Sequence, residues 1–147
     1  MNLLVVSNRH ITNAEYFSSP EELEYCLSKR PKIDTLLFAF WSWKVTPQML
    51  RKYKCYGMHT GFLTIGKGKG GSPIDNLIKL DIRWAQLNVF EMNENFDDGK
   101  VILAIPIHIS PSKDMMIQRI DQVYMPSIMR YLEQDISNVP ERFKRIK

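Results

Sequence analysis

The chain has 147 residues, a formal net charge of +4, 44% hydrophobic and 24% charged residues, and 2 cysteines. That length supports one domain with one core, burying roughly 68–70% of the unfolded surface, and the composition is that of an ordinary globular protein. The longest strongly apolar run, Thr35 to Trp43, falls far short of the ~20 residues that span a bilayer, so no membrane partner is expected.

The opening Met1-Asn2-Leu3-Leu4-Val5-Val6 has no basic segment and no small-residue cleavage site, which reads as no signal peptide. Cys26 and Cys55 match no metal spacing and sit in apolar company, so they read as buried thiols of a cytoplasmic protein. Leu3 to Val6, closed by Ser7-Asn8, suits a buried strand of a parallel sheet. In doubly wound sheets the loop after such a strand faces a ligand. Ser7, Asn8, Arg9, His10 and Asn13 are therefore candidate contacts, although each taken singly also reads as a polar turn residue. No glycine fingerprint for a dinucleotide follows.

Ser18 or Ser19 before Pro20-Glu21-Glu22 starts a helix by hydroxyl capping, with a stripe of Leu23, Cys26 and Leu27 and an end at Pro31. Thr35 to Phe40 is a second buried strand. The tryptophans of Trp41-Ser42-Trp43 at its carboxyl end either line a pocket for a flat ring or close the core. Thr46-Pro47 restarts a helix that ends at Arg51-Lys52, and Cys55 to His59 is a third short strand.

Next comes a glycine-rich loop, with five of the 7 glycines between Gly61 and Gly71, and a helix from Pro73 to Lys79 capped by Ser72. Asp81 to Met92 reads as a strand with one irregularity, Asn93 to Gly99 as a polar turn, and Val101 to Ile109 as an edge strand because of Pro106. Ser110 or Ser112 caps a last helix along Met115, Ile120, Val123, Met125, Ile128 and Leu132, with a kink allowed at Pro126. The early strand–helix alternation predicts an α/β fold with a mostly parallel sheet.

Two titratable residues stand out by context. His59 ends a strand directly before the glycine loop, and Asp97 sits in the turn between the last two strands. Brought together by the fold, a carboxylate would orient the imidazole and hold its charged form, giving an acid/base or oxyanion-stabilising pair. His108, flanked by Ile107 and Ile109, reads as structural, and no metal is proposed because no histidine–carboxylate spacing suits one. Lys44, Lys67 and Lys69 favour an anionic ligand, whereas the basic tail from Arg142 to Lys147 reads as a solvated end.

Three blocks resemble the folate-dependent N-formyltransferases, among them the glycinamide ribonucleotide, methionyl-tRNA and amino-sugar enzymes. They are Phe38-Ala39-Phe40-Trp41-Ser42-Trp43-Lys44-Val45-Thr46-Pro47, Met58-His59-Thr60 with its glycine loop, and Asn95-Phe96-Asp97-Asp98-Gly99-Lys100-Val101-Ile102. The resemblance implies a Rossmann-like formyltransferase fold over residues 1–147, ending in a β-hairpin and helix, and transfer of a formyl group from N10-formyltetrahydrofolate to a primary amine. It implies His59 and Asp97 as catalytic. Phe40, Trp41, Ser42, Trp43, Val45, Asn95 and Phe96 would then hold the folate, and Asn8, Arg9, Gly70, Gly71 and Ser72 the acceptor.

The implied acceptor is an amino-sugar nucleotide or an aminoribonucleotide. Transfer to tRNA is the weaker reading, because no second domain follows. The other readings are hydrolysis of the same donor and a folate- or nucleotide-binding module without catalysis, and a homodimer is compatible with so small a core. One departure concerns chemistry. The family carries asparagine two residues before the histidine, at the formyl oxygen, and here that residue is Gly57. Backbone N–H groups of the glycine loop, Asn13 or Asn76 are the substitutes the sequence offers.

Overall fold

Short leucine- and valine-rich runs with no helical period recur through the first 60 residues, and each becomes a strand buried on both faces. A computed structural model describes residues 1–60, 78–79, 83–93 and 99–134. The strands are β1 (Leu3–Ser7), the two-residue β2 (Glu15–Tyr16), β3 (Thr35–Phe38), β4 (Lys54–Thr60), β5 (Trp84–Glu91) and β6 (Val101–His108). They form one 6-stranded sheet in the order β2-β1-β3-β4-β5-β6. Pairing is parallel from β2 to β4 and antiparallel from β4 through β5 to β6. The α/β fold with its C-terminal hairpin and helix is thus as expected. β6 lies at the sheet edge, where Pro106 removes no ladder bond that a further strand would need. The anticipated irregularity of the long strand falls between Val89 and Phe90.

Helix α1 (Pro20–Lys29) begins where Ser19 Oγ accepts the Glu22 N–H, and α2 (Pro47–Lys52) where Thr46 Oγ1 accepts the Met49 N–H. Both have proline in the first turn, so the missing N–H is one that a helix start leaves unbonded anyway. Helix α3 (Lys113–Arg119) is capped by Ser112, while Ser110 turns inward and its Oγ accepts the Ser112 N–H. Residues 120–124 then form a π-helical turn before α4 (Met125–Glu133). Pro126 has no N–H to donate and its ring would press on the Gln122 carbonyl of a regular helix; the wider turn relieves both conflicts.

That turn aims Asp121 into the protein, where it is 4% exposed. Its carboxylate accepts the backbone N–H of Thr12 at 2.8 Å and of Asn13 at 2.9 Å, and the Asn13 amide donates to both the Asp121 carbonyl and carboxylate. The loop after β1 is thereby tied to the last helix. Two apolar layers cover the sheet. Val5, Leu37, Tyr56, Leu87, Val89 and Ile107 pack with Met116, Ile120 and Ile128 on one face, and Leu4, Val6, Leu36, Phe38 and Cys55 with Leu23 and Leu27 on the other.

Three local expectations change. β3 stops at Phe38, because Phe40 takes a positive φ of 57° that ends the extended run. β2 is too short and exposed to leave a pattern. Cys26 is half-buried, unlike Cys55. His108, read as structural, ends β6 as an exposed residue with its ring edge-on to Trp84 at 5.1 Å. Of the helix from Pro73, only Ile78 and Lys79 are described, and both are helical.

Two measurements check this arrangement. Asp121→Ala strands two backbone N–H groups and an amide, and should lower the unfolding free energy by about 3 kcal/mol in urea titration. A loss below about 0.5 kcal/mol would mean the loop is held by something else. Burial pushes the Cys55 thiol up to about 12, so it stays protonated and enclosed at neutral pH. Iodoacetamide should label Cys26 in the folded protein and Cys55 only after unfolding; equal rates would contradict the packing of β4.

Candidate active site

The site grows from the carboxyl ends of β1, β3 and β4, where parallel strands leave their connecting loops side by side. The Asn8 backbone N–H donates to the Phe40 carbonyl at 3.3 Å, and the Asn8 side-chain amide donates to Ser42 Oγ at 2.8 Å. Asn8 Oδ1 is enclosed and has no hydrogen-bond partner among the described residues. The Arg9 N–H donates to Ser7 Oγ at 3.0 Å, a local turn that starts the loop.

In the loop after β3, Trp41 packs against Phe38 with ring centroids 5.5 Å apart, and Trp43 meets Trp41 edge-on at 4.9 Å. Trp41 belongs to the apolar layer of α1, so it closes that core, while both indoles keep part of their surface open. Val45 is buried beside them, and Phe40 packs toward the opposite layer.

β4 carries His59 next to its end, and register fixes its surroundings. Gly57 pairs with Phe38 on one side and Phe90 on the other, and His59 pairs with Asn88. Leu87 and Val89 belong to the layer covered by α3 and α4, as does Met58, so strand alternation puts His59 and Asn88 together on the other face. This is the face of Phe38 and Trp41. Asn88 is 4% exposed and His59 half-buried.

Any side chain at 57 would have to displace the Phe90 ring. A Cβ there would lie 2.6 Å from Phe90 Cζ, and Phe90 is itself buried. Gly99 is constrained too, since a Cβ on it would strike the Glu91 carbonyl. The backbone packs this closely where it returns from the Asp97 segment, with the Glu91 N–H donating to the Lys100 carbonyl at 2.8 Å.

The structure thus brings His59 and the Trp41–Trp43 loop onto one sheet face, with Asn8 bonded to that loop. Arg9 lies on a separate cleft of about 710 Å³ between the loop after β1 and α3, shared by Asn8, His10, Asp114 and Asp121. His10 stacks on Tyr16 there at 3.7 Å. His59 is not part of that cleft, standing two strands away. Asp97, Asn95, Phe96, Gly70, Gly71 and Ser72 lie outside the described residues. Among the described residues no group of His, Cys, Asp and Glu suits a metal ion, and no helix is long and apolar enough to cross a membrane.

Two buried polar residues were not singled out from the sequence. Asn88 interrupts the apolar run Leu87 to Phe90, and Asp121 follows Ile120 within the apolar stripe of the last helix. A polar residue inside an apolar run was the available signal for both, since a buried polar group has to be satisfied by a specific partner.

No family model and no curated protein matches the chain. Solved structures do. A methionyl-tRNA formyltransferase from Clostridium thermocellum superposes with a TM-score of 0.69 at 18% identity, covering 90% of this chain and 66% of its own. HypX from Aquifex aeolicus in complex with tetrahydrofolic acid gives 0.67 at 18%, covering 90% of this chain and 26% of that one. Glycinamide ribonucleotide transformylase 1 from Geobacillus kaustophilus gives 0.60 at 21%, covering 89% and 82%. The chain therefore spans less than two thirds of the first two proteins. From the sheet order, the hairpin after β4 and these superpositions, the protein has the formyltransferase fold.

Proposed function

We propose that the protein transfers a formyl group from N10-formyltetrahydrofolate to a primary amine of a small acceptor. The observation that carries this reading is the position of His59, next to the end of β4 on the sheet face of Phe38 and Trp41, within a formyltransferase fold. The part-open indoles of Trp41 and Trp43 suit a flat ring, which supports the loop from Phe40 to Val45 as the folate wall. The tetrahydrofolate in the HypX complex agrees with such a donor. When bound, N10-formyltetrahydrofolate supplies the formyl carbon.

The chain's own residues do the rest. His59 stands where a proton is handled, and a charged imidazole there stabilises negative charge developing on the formyl oxygen. Asp97 is the carboxylate proposed to hold that charge in place. In the overall change the amine nitrogen bonds to the formyl carbon, and the bond from that carbon to N10 breaks with its electron pair left on N10. One proton leaves the amine and one arrives at N10.

Asn8, with an enclosed carbonyl oxygen open to a donor, fits an acceptor N–H, and Arg9 on the neighbouring cleft fits an anionic group. Gly70, Gly71 and Ser72 complete the proposed acceptor side, with Asn95 and Phe96 on the folate side. The acceptor class we favour is an amino-sugar nucleotide or aminoribonucleotide, in keeping with the match to glycinamide ribonucleotide transformylase over most of that chain.

The test is a panel of glycinamide ribonucleotide, an amino-sugar nucleotide and methionyl-tRNA with the formyl donor, read by product mass. A formylated small amine is expected. Formate release with no formylated amine would make the protein a hydrolase, and no product with no folate binding would end the reading. His59→Ala should lower kcat by at least ~10²-fold while tetrahydrofolate binding persists.

A further inference from the structure

We infer that the cleft beside the loop after β1 receives a nucleotide, its base lying on the His10 ring and its phosphate meeting Arg9. The inference rests on the formyl-transfer reading above and narrows its acceptor to an amine carried by a nucleotide. The cleft holds about 710 Å³, a volume typical of small-ligand sites.

Three features of its lining point to that ligand. The first is a ring platform. His10 and Tyr16 both line the cleft, with centroids 3.7 Å apart and planes 16° from parallel. Both are exposed, Tyr16 at 41%, so neither ring is there to fill the core. Such a stack offers water a flat apolar face, and covering it with a third flat ring is favourable. The second feature is a cation. Arg9 is exposed on the cleft, makes no ion pair among the described residues, and carries a fork of N–H donors that matches a phosphate.

The third feature is a polar wall. Asp114 and Gln118 of α3 and Gln122 of the π-helical turn line the cleft as exposed residues. The carboxylate accepts from a ribose hydroxyl or a base N–H, while the amides donate and accept, as base edges require. Asp121 is the other carboxylate on the cleft, and the N–H groups of Thr12 and Asn13 already engage it. Those bonds fix the loop that carries Arg9 and His10 before any ligand arrives, which lowers the entropy cost of binding.

The place of the cleft sets the length of the ligand. His59 is not part of it and stands two strands from β1, about 10 Å at the usual strand spacing. Asn8 joins the two places, lining the cleft and donating to Ser42 Oγ in the tryptophan loop. A small amine seated against His59 leaves the ring platform uncovered. An amine tethered to a nucleoside diphosphate spans both.

The experiment measures binding of uridine and adenosine 5′-monophosphates, ribose 5-phosphate and inorganic phosphate to the whole chain by calorimetry. At least one nucleotide should bind ~10-fold or more tightly than ribose 5-phosphate. His10→Ala should weaken that nucleotide ~5–100-fold and leave ribose 5-phosphate unchanged, whereas His10→Phe keeps the affinity. Arg9→Gln should weaken both ligands. Thermal melts establish that the variants are folded, and both positions are exposed. Equal affinity for nucleotide and ribose 5-phosphate would overturn the platform, as would nucleotide binding that ignores both substitutions. Competitive displacement of the nucleotide by tetrahydrofolate would overturn it also, since the cleft would then belong to the formyl donor. The two readings fail separately. Nucleotide binding with no formylated amine removes the formyl-transfer reading, and the acceptor role with it, while the binding site stands. Formylation of an amine that has no base, with no nucleotide bound, removes the nucleotide site alone.

Discussion

Strand β4 has a parallel neighbour on one side and an antiparallel neighbour on the other, and the candidate site is arranged around that change of direction. On the β3 side it brings two loops to the same end of the sheet. On the β5 side it sets a strand whose residues can be read pair by pair against the histidine. A ladder fixes which side chains meet across β4 and β5 with little freedom for adjustment.

The loop after β1 is placed by another device. Its backbone cannot pair within the sheet beyond Ser7 except through the two residues of β2, so the N–H groups of Thr12 and Asn13 need acceptors from elsewhere. Asp121 supplies them from the π-helical turn that precedes Pro126. The turn before α4 is thereby tied to a loop more than a hundred residues earlier in the chain. The same loop bonds through Asn8 to the tryptophan loop, so these two loops and the last helix form one connected frame.

Much of this was legible in the sequence. Capping residues with proline behind them located α1, α2 and α3 almost to the residue, because that signal is local and chemical. Pro106 marked the sheet edge. What escaped was non-local. Nothing around Phe40 announces a positive φ, which follows from the turn needed for Asn8 and Phe40 to bond. β2 exists only because β1 offers it a free edge. Trp84 and Phe90 both fit an alternating strand, yet Trp84 is 65% exposed and Phe90 is 4% exposed, since only the middle of the sheet is covered on both faces. The histidine was visible as a strand-end residue beside a glycine loop. Its partner across the ladder was not, because register is a property of two strands and the sequence shows them one at a time.

The contact between Gly57 and Phe90 also bears on how such a site can change over evolutionary time. A chain of this fold that starts with glycine at 57 meets the Phe90 ring before any larger side chain there can become useful. The ring must shrink or swing first, and until then each single step costs folding stability and returns nothing in chemistry. The reverse holds for a chain that starts with a polar side chain at that place, where a large aromatic ring at 90 would be rejected. Two neighbouring positions on different strands thus act as one inherited unit. Packing alone ties the choice of residue at 57 to that at 90.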